Sequence, residues 1–209
     1  MTAPLLAQSD GIQEGPSATA RAVVTALQRA LPHRLALMEQ RWGHVALGPE
    51  PRSQGLNLTI GETLGESRPQ SYPAVQVGVT RMLSHHFQEW GPDGAPISQA
   101  RYQCHAWCAV EGDHLDTLAR ARERLVLAVR HSLTVSRALD DYREVVRNSV
   151  TEHYLQPAIV AAPGQSEQPQ SAVAETRIDF TVIAVERPSV PVLGTADTIA
   201  VTAETLPRS

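Results

Sequence analysis

Between residues 20 and 42 the apolar positions Ala20, Val23, Val24, Leu27, Leu31, Leu35, Met38 and Trp42 recur every three or four residues. That spacing places them on one side of a 3.6-residue helix. Ser17 stands where an N-cap belongs, and Gly43 follows the last apolar position and ends the stripe. Pro32 interrupts the run, and because proline suits a first helical turn, the pattern predicts two helices or one kinked helix.

The period then changes to two. Val75, Val77 and Val79 alternate with small or polar residues after Tyr72-Pro73, which predicts a strand over residues 74–79. Residues 79–90 are read as a short helix, and residues 56–60 as an isolated strand inside a Pro- and Gly-rich connection, 48–73. Residues 97–110 lack Pro and Gly and give the clearest strand. Tyr102, Cys104, Ala106, Cys108 and Val110 share one face, and Gln103, His105, Trp107 and Ala109 the other.

Gly112 breaks that strand, Asp113 is the expected cap of a second helix, and Asp116 suits its first turn. In that helix Leu115, Leu118, Leu125, Val129 and Leu133 form an apolar ladder, with Ala121 and Arg122 around its gap and Arg120, Arg124 and Arg130 mostly opposite. Each such side chain contributes about 1.5–3 kcal/mol when buried, before conformational entropy is subtracted. A turn at Leu139-Asp140-Asp141 precedes a strand of open register within 145–159 and a polar loop, 162–171. Ile178, Phe180, Val182 and Ala184 then alternate with Asp179, Thr181, Ile183 and Val185, as an interior strand does.

The fold expected from these elements is α+β: a mixed, mainly antiparallel sheet with two or three helices on one face. The chain divides into an N-terminal arm (1–16), one core (17–187) and an extended C-terminal arm (188–209). The arm and loop segments, with short extended runs at 56–60 and 198–202, are the parts expected to build an interface by adding to a neighbour's open sheet edge.

Composition narrows the function. A hydrophobic fraction of 42% with 19% charged residues suits a folded chain. Aromatics are only 4%, so Leu, Val and Ala fill the core, with Trp42, Trp90 and Trp107 expected as large anchors. All 18 basic residues are arginine, which points to a G- and C-rich coding sequence, and a net charge of −4 offers no field for sequence-specific nucleic-acid binding. Neither a secretory signal nor a run of about 20 apolar residues is recognised, so a soluble chain assembled in the cytoplasm, with no membrane partner, is expected.

Catalytic and metal chemistry find little support. Cys104 and Cys108 fall on one strand face while His105 points away, and no second ligand pair completes a tetrahedral set with His85, His86 or His114. Both cysteines are expected reduced, buried and metal-free. Ser84-His85-His86 lacks a nucleophile elbow and an orienting carboxylate. Asp140-Asp141 reads as a turn, residues 61–65 lack the lysine of a phosphate loop, and Asn57-Leu58-Thr59 matches a glycosylation pattern that has no meaning without a signal peptide. No catalytic, cofactor or metal residue is assigned.

The order of elements supplies more. An N-terminal helix ends in Leu31-Pro32, a Tyr-Pro-led strand begins at Tyr72, and a long strand passes through a Gly-Asp turn into an amphipathic helix, Tyr102 to Leu133. An Arg147-Asn148-Ser149 segment then leads to a last strand ending at Arg187. Together these resemble the tail terminator and neck proteins of long-tailed bacteriophages, over residues 17–187, with extra length in 48–73 and after Pro188. The resemblance implies a virion protein forming a hexameric ring at the head-proximal end of the tail. Such a ring ends tail-tube polymerisation and contacts the tail tube protein and a head-completion or stopper protein, while DNA passes through its lumen without sequence-specific binding. It implies no cofactor and no catalytic residue. The alternatives are another neck component, such as a head-closure or connector subunit, and a small-molecule-binding or hydrolytic α/β domain.

Overall fold

The structure, a computed structural model, describes residues 15–45, 47, 58–63, 68–69, 72–92, 95–160 and 171–187. Two helices, α1 (Gly15–Trp42) and α2 (Leu115–Val135), pack on one face of a seven-stranded sheet. The strands are β1 (Thr59–Glu62), β2 (Ala74–Trp90), β3 (Pro96–Gly112), β4 (Arg143–Val145), β5 (Thr151–Tyr154), β6 (Ala158–Val160) and β7 (Ser171–Glu186). Their order is β1-β2-β3-β7-β4, with β5 and β6 also on β7. Only β1 with β2 is parallel. The fold is therefore α+β, as expected.

The helix-facing rows read across the sheet as Val77, Ala106 and Ile178, then Val75, Cys108 and Thr176. Against them α1 buries Val23, Val24, Leu27, Leu31, Leu35 and Met38, and α2 buries Leu118, Ala121, Leu125, Val126, Val129 and Leu133. One continuous core results.

Several details differ from the sequence reading. Of the two readings of Pro32 the two-helix one fails: a single helix runs through it and does not end there. Pro32 and Gln28, whose carbonyl loses its helical partner, are both exposed residues, while packing of Leu27, Leu31 and Leu35 holds the helix on both sides. The helix starts at Gly15, so Ser17 lies inside the first turn and is not the cap. Gly43 ends it with φ 81° and an N–H donated to the Glu39 carbonyl at 2.8 Å, a conformation glycine adopts at little cost.

Residues 79–90 are strand, not helix: β2 runs unbroken to Trp90. Three bulges, between Val79 and Arg81, Met82 and Ser84, and Phe87 and Glu89, break its side-chain alternation, and that is why a two-residue period is not visible there. The cap of α2 is His114 and makes no side-chain capping bond, so Asp113 does not serve, and Leu115 is 64% exposed instead of heading the buried ladder. Of the three tryptophans only Trp107 is buried. Trp42 lies at the surface under the guanidinium groups of Arg41 and Arg124, 5.5 and 5.2 Å from its ring centroid.

Candidate functional site

The two outer edges of the sheet are finished differently. Along β7 the outer edge is covered from end to end: Arg143–Val145 pairs Ala184 to Val182, Thr151–Tyr154 pairs Asp179 to Thr176, and Ala158–Val160 pairs Val173 to Ser171. Even the jog between β4 and β5 is closed. Val146 donates its N–H to the Thr181 carbonyl at 2.8 Å, and the Ser149 hydroxyl accepts the Thr181 N–H at 3.0 Å while donating to the Val146 carbonyl at 2.8 Å. Asn148, at φ 60°, provides the left-handed residue that this jog requires.

At the opposite edge β1 covers only Ala74 to Val77 of β2, extended by the Thr63 N–H to the Val77 carbonyl. From Gly78 to Trp90 no strand among the described residues lies outside β2. The run at 56–60 is thus partly accounted for by β1, which adds to its own sheet and not to a neighbour's. The run at 198–202, the arm 188–209 and most of the loop 162–171 lie outside the described residues.

Four large apolar side chains are exposed along this open stretch. Trp90 is 68% exposed, Phe87 55%, Met82 54% and Leu83 45%, and the Phe87 and Trp90 rings touch, with centroids 5.3 Å apart. Register shows which way the ridge faces. Met82 pairs with Tyr102 and Phe87 with Ser98, whose side chains share the helix-facing side with Val182 and Glu186 of β7. At those rows β3 and β7 are buried and β2 is not, so the helix layer stops short of the edge and leaves Met82, Phe87 and Trp90 on an uncovered shelf.

The shelf is bounded by an acid that the sequence reading passed over. Glu186, 8% exposed, accepts the Gly15 N–H at 3.1 Å and the Tyr102 hydroxyl on Oε1, with His85 Nε2 3.7 Å from Oε2. The first turn of α1 has no acid of its own, so a residue 171 positions away supplies the negative charge that the helix N-terminus favours. Burial, followed by the bond to this carboxylate, pushes the Tyr102 hydroxyl well above its usual range. The signal was available: Glu186 continues the even-numbered apolar face of Ile178, Phe180, Val182 and Ala184. Through these two donors the Glu186 carboxylate ties α1 and β3 to the end of β7.

The residues considered for chemistry are dispersed. Cys104 and Cys108 are free and buried on the helix side, and burial raises both thiols, that of Cys104 to about 12. His105 is buried on the other face, with Nδ1 3.1 Å from the Thr80 hydroxyl. His85 and His86 lie on the open β2 segment, and His114 precedes α2. Asp140 accepts the Tyr142 N–H at 2.8 Å and pairs with Arg143 at 3.0 Å, which makes it a turn cap. Among the described residues no group of three His, Cys, Asp or Glu is placed to hold a metal ion.

The sheet face away from the helices is polar and tied to itself. Arg68 and Arg177 stack over Trp107 at 5.6 and 5.9 Å, Arg68 reaches Glu175 at 3.4 Å, and Asp179 takes both Arg177 at 2.7 Å and His153 at 3.2 Å. This cover explains why both faces of β3 from Cys104 to Val110 are buried.

No family model matches the chain, and no curated protein does. Among solved structures, a chain of the virion of a native gene transfer agent particle is similar over 79% of this chain and 98% of its own length, at 14% identity and a TM-score of 0.23. Agreement at that level does not establish a shared fold. No described helix is long and apolar enough to cross a membrane.

Proposed function

We propose that this chain is a non-catalytic structural subunit of a tailed phage-like particle, the tail terminator, which closes into a hexameric ring at the head-proximal end of the tail and joins it to the head-completion proteins. The observation that supports this reading is the unequal treatment of the two sheet edges. One is sealed by three short strands and a side-chain bridge, and the other presents Gly78 to Trp90 with an exposed apolar shelf. Exposed edges and contiguous apolar surface are interaction sites or liabilities. A closed ring gives every copy's shelf the same neighbour and leaves none over, whereas an open chain leaves one bare. The bulges in β2 oppose a long regular ladder with another edge, so apolar side chains carry the contact.

The acidic balance fits a lumen through which DNA slides without being held. Negative-stain electron microscopy of the purified chain, alone and with tail tubes, tests the reading. Closed rings and capped tube ends are expected, and Trp90→Glu should abolish both while leaving the circular dichroism spectrum unchanged. A chain that stays monomeric and leaves tubes uncapped refutes it.

A further inference from the structure

The shelf has a neighbour in its own chain. Gly15, the first described residue, donates its N–H to Glu186, and Glu186 shares a sheet row with Ser98 and Phe87 and lies beside His85. The chain therefore enters α1 at the rim of the shelf. The composition of residues 1–14 matches it: Leu5, Leu6 and Ile12 are apolar, and Asp10 and Glu14 are the charged side chains, with no arginine. On the shelf face itself residues 80–90 place Met82, His85, Phe87 and Trp90, while Arg81 and His86 pair with Gln103 and Gln99 on the opposite face. Fourteen residues span at most about 46–50 Å when extended, more than enough to run the length of β2 beyond Gly78.

We propose that residues 1–14 dock on the shelf of their own copy, with Leu5, Leu6 and Ile12 packed over Met82, Phe87 and Trp90, so that the segment shields the assembly surface of a free subunit until a neighbour displaces it. The docking follows from where the chain leaves α1. The shielding rests on the assembly reading above. Covering the shelf removes exposed apolar area from the free chain, and a tethered segment does so at an effective concentration that a separate copy reaches only when assembly brings subunits together.

The test places a nitroxide at Leu6→Cys in a Trp42→Phe background. The native cysteines are buried with raised thiols and stay unlabelled. Fluorescence from Trp90, taken as the difference from the same chain carrying Trp90→Phe, should fall several-fold and stay quenched when the labelled chain is mixed with excess unlabelled chain lacking Trp90 at a total concentration below that at which rings form. Unchanged fluorescence overturns the proposal, and so does quenching that the excess removes, since that places the segment on another copy. Deleting residues 1–13 separates this idea from the assembly reading. Rings forming at several-fold lower concentration support shielding. Quenching in the full chain with no ring from either form keeps the docking and discards both the ring and the shielding.

Discussion

Single side chains do unequal work in this fold, and two polar ones stand out. Glu186 ties α1, β3 and the end of β7 through the Gly15 N–H and the Tyr102 hydroxyl. Replacing it with alanine strands a buried phenol and a helix-terminal N–H, so Glu186→Ala should cost about 1–3 kcal/mol, measured as a lower urea midpoint. Glu186→Gln keeps an acceptor and should cost less, losing chiefly the charge that favours the helix N-terminus, about 0.3–1 kcal/mol. Equal losses would remove the hydrogen bonds from this account. Ser149 is the second. Its hydroxyl replaces a missing strand partner for Thr181, so Ser149→Ala should raise amide exchange at Thr181 first and lower stability by about 1 kcal/mol. An unchanged exchange rate would show that the jog closes without it.

At the level of elements, legibility followed regularity. The strand through Tyr102 to Val110, the strand through Ile178 to Ala184 and the two amphipathic helices obey one period each, and all four are present. Leu125 is fully buried in α2, so Leu125→Ala should cost about 2–5 kcal/mol and drop the thermal midpoint markedly, whereas Leu115→Ala, at an exposed position, should be near neutral. Where periods mix, reading failed. Three bulges concealed the second half of β2, and 3-, 4- and 3-residue strands gave no alternation long enough to set a register on β7. Pro32 left two helices and one kinked helix both open because its cost is local, while the apolar stripe that keeps a single helix is tertiary. The shelf was invisible for a related reason: Met82, Phe87 and Trp90 share a face only after the bulges re-phase the strand, and exposure depends on where the helix layer stops.

For the whole molecule, one sheet layer and one helix layer share a single core, and its least common feature is the set of ionisable groups held neutral inside it. Burial raises the Cys104 and Cys108 thiols and the Tyr102 hydroxyl. The sign follows from proton counting. Above the ordinary thiol value of 9 the unfolded chain releases protons that the folded chain retains, Cys104 up to about 12, so the folded state binds more protons and stability falls as pH rises through that window. Below pH 8 the thiols contribute no slope. By pH 10 the pair should subtract roughly 3 kcal/mol, with Tyr102 adding to the loss at higher pH. Urea unfolding at pH 7.5 and pH 10 measures the difference. In a Cys104→Ala, Cys108→Ala chain, already less stable at neutral pH from lost packing, the fall between the two pH values should shrink by most of that amount. A fall of the same size in both chains would assign the alkaline sensitivity to other groups and place the thiols in contact with water, where the shelf-labelling chemistry would also reach them.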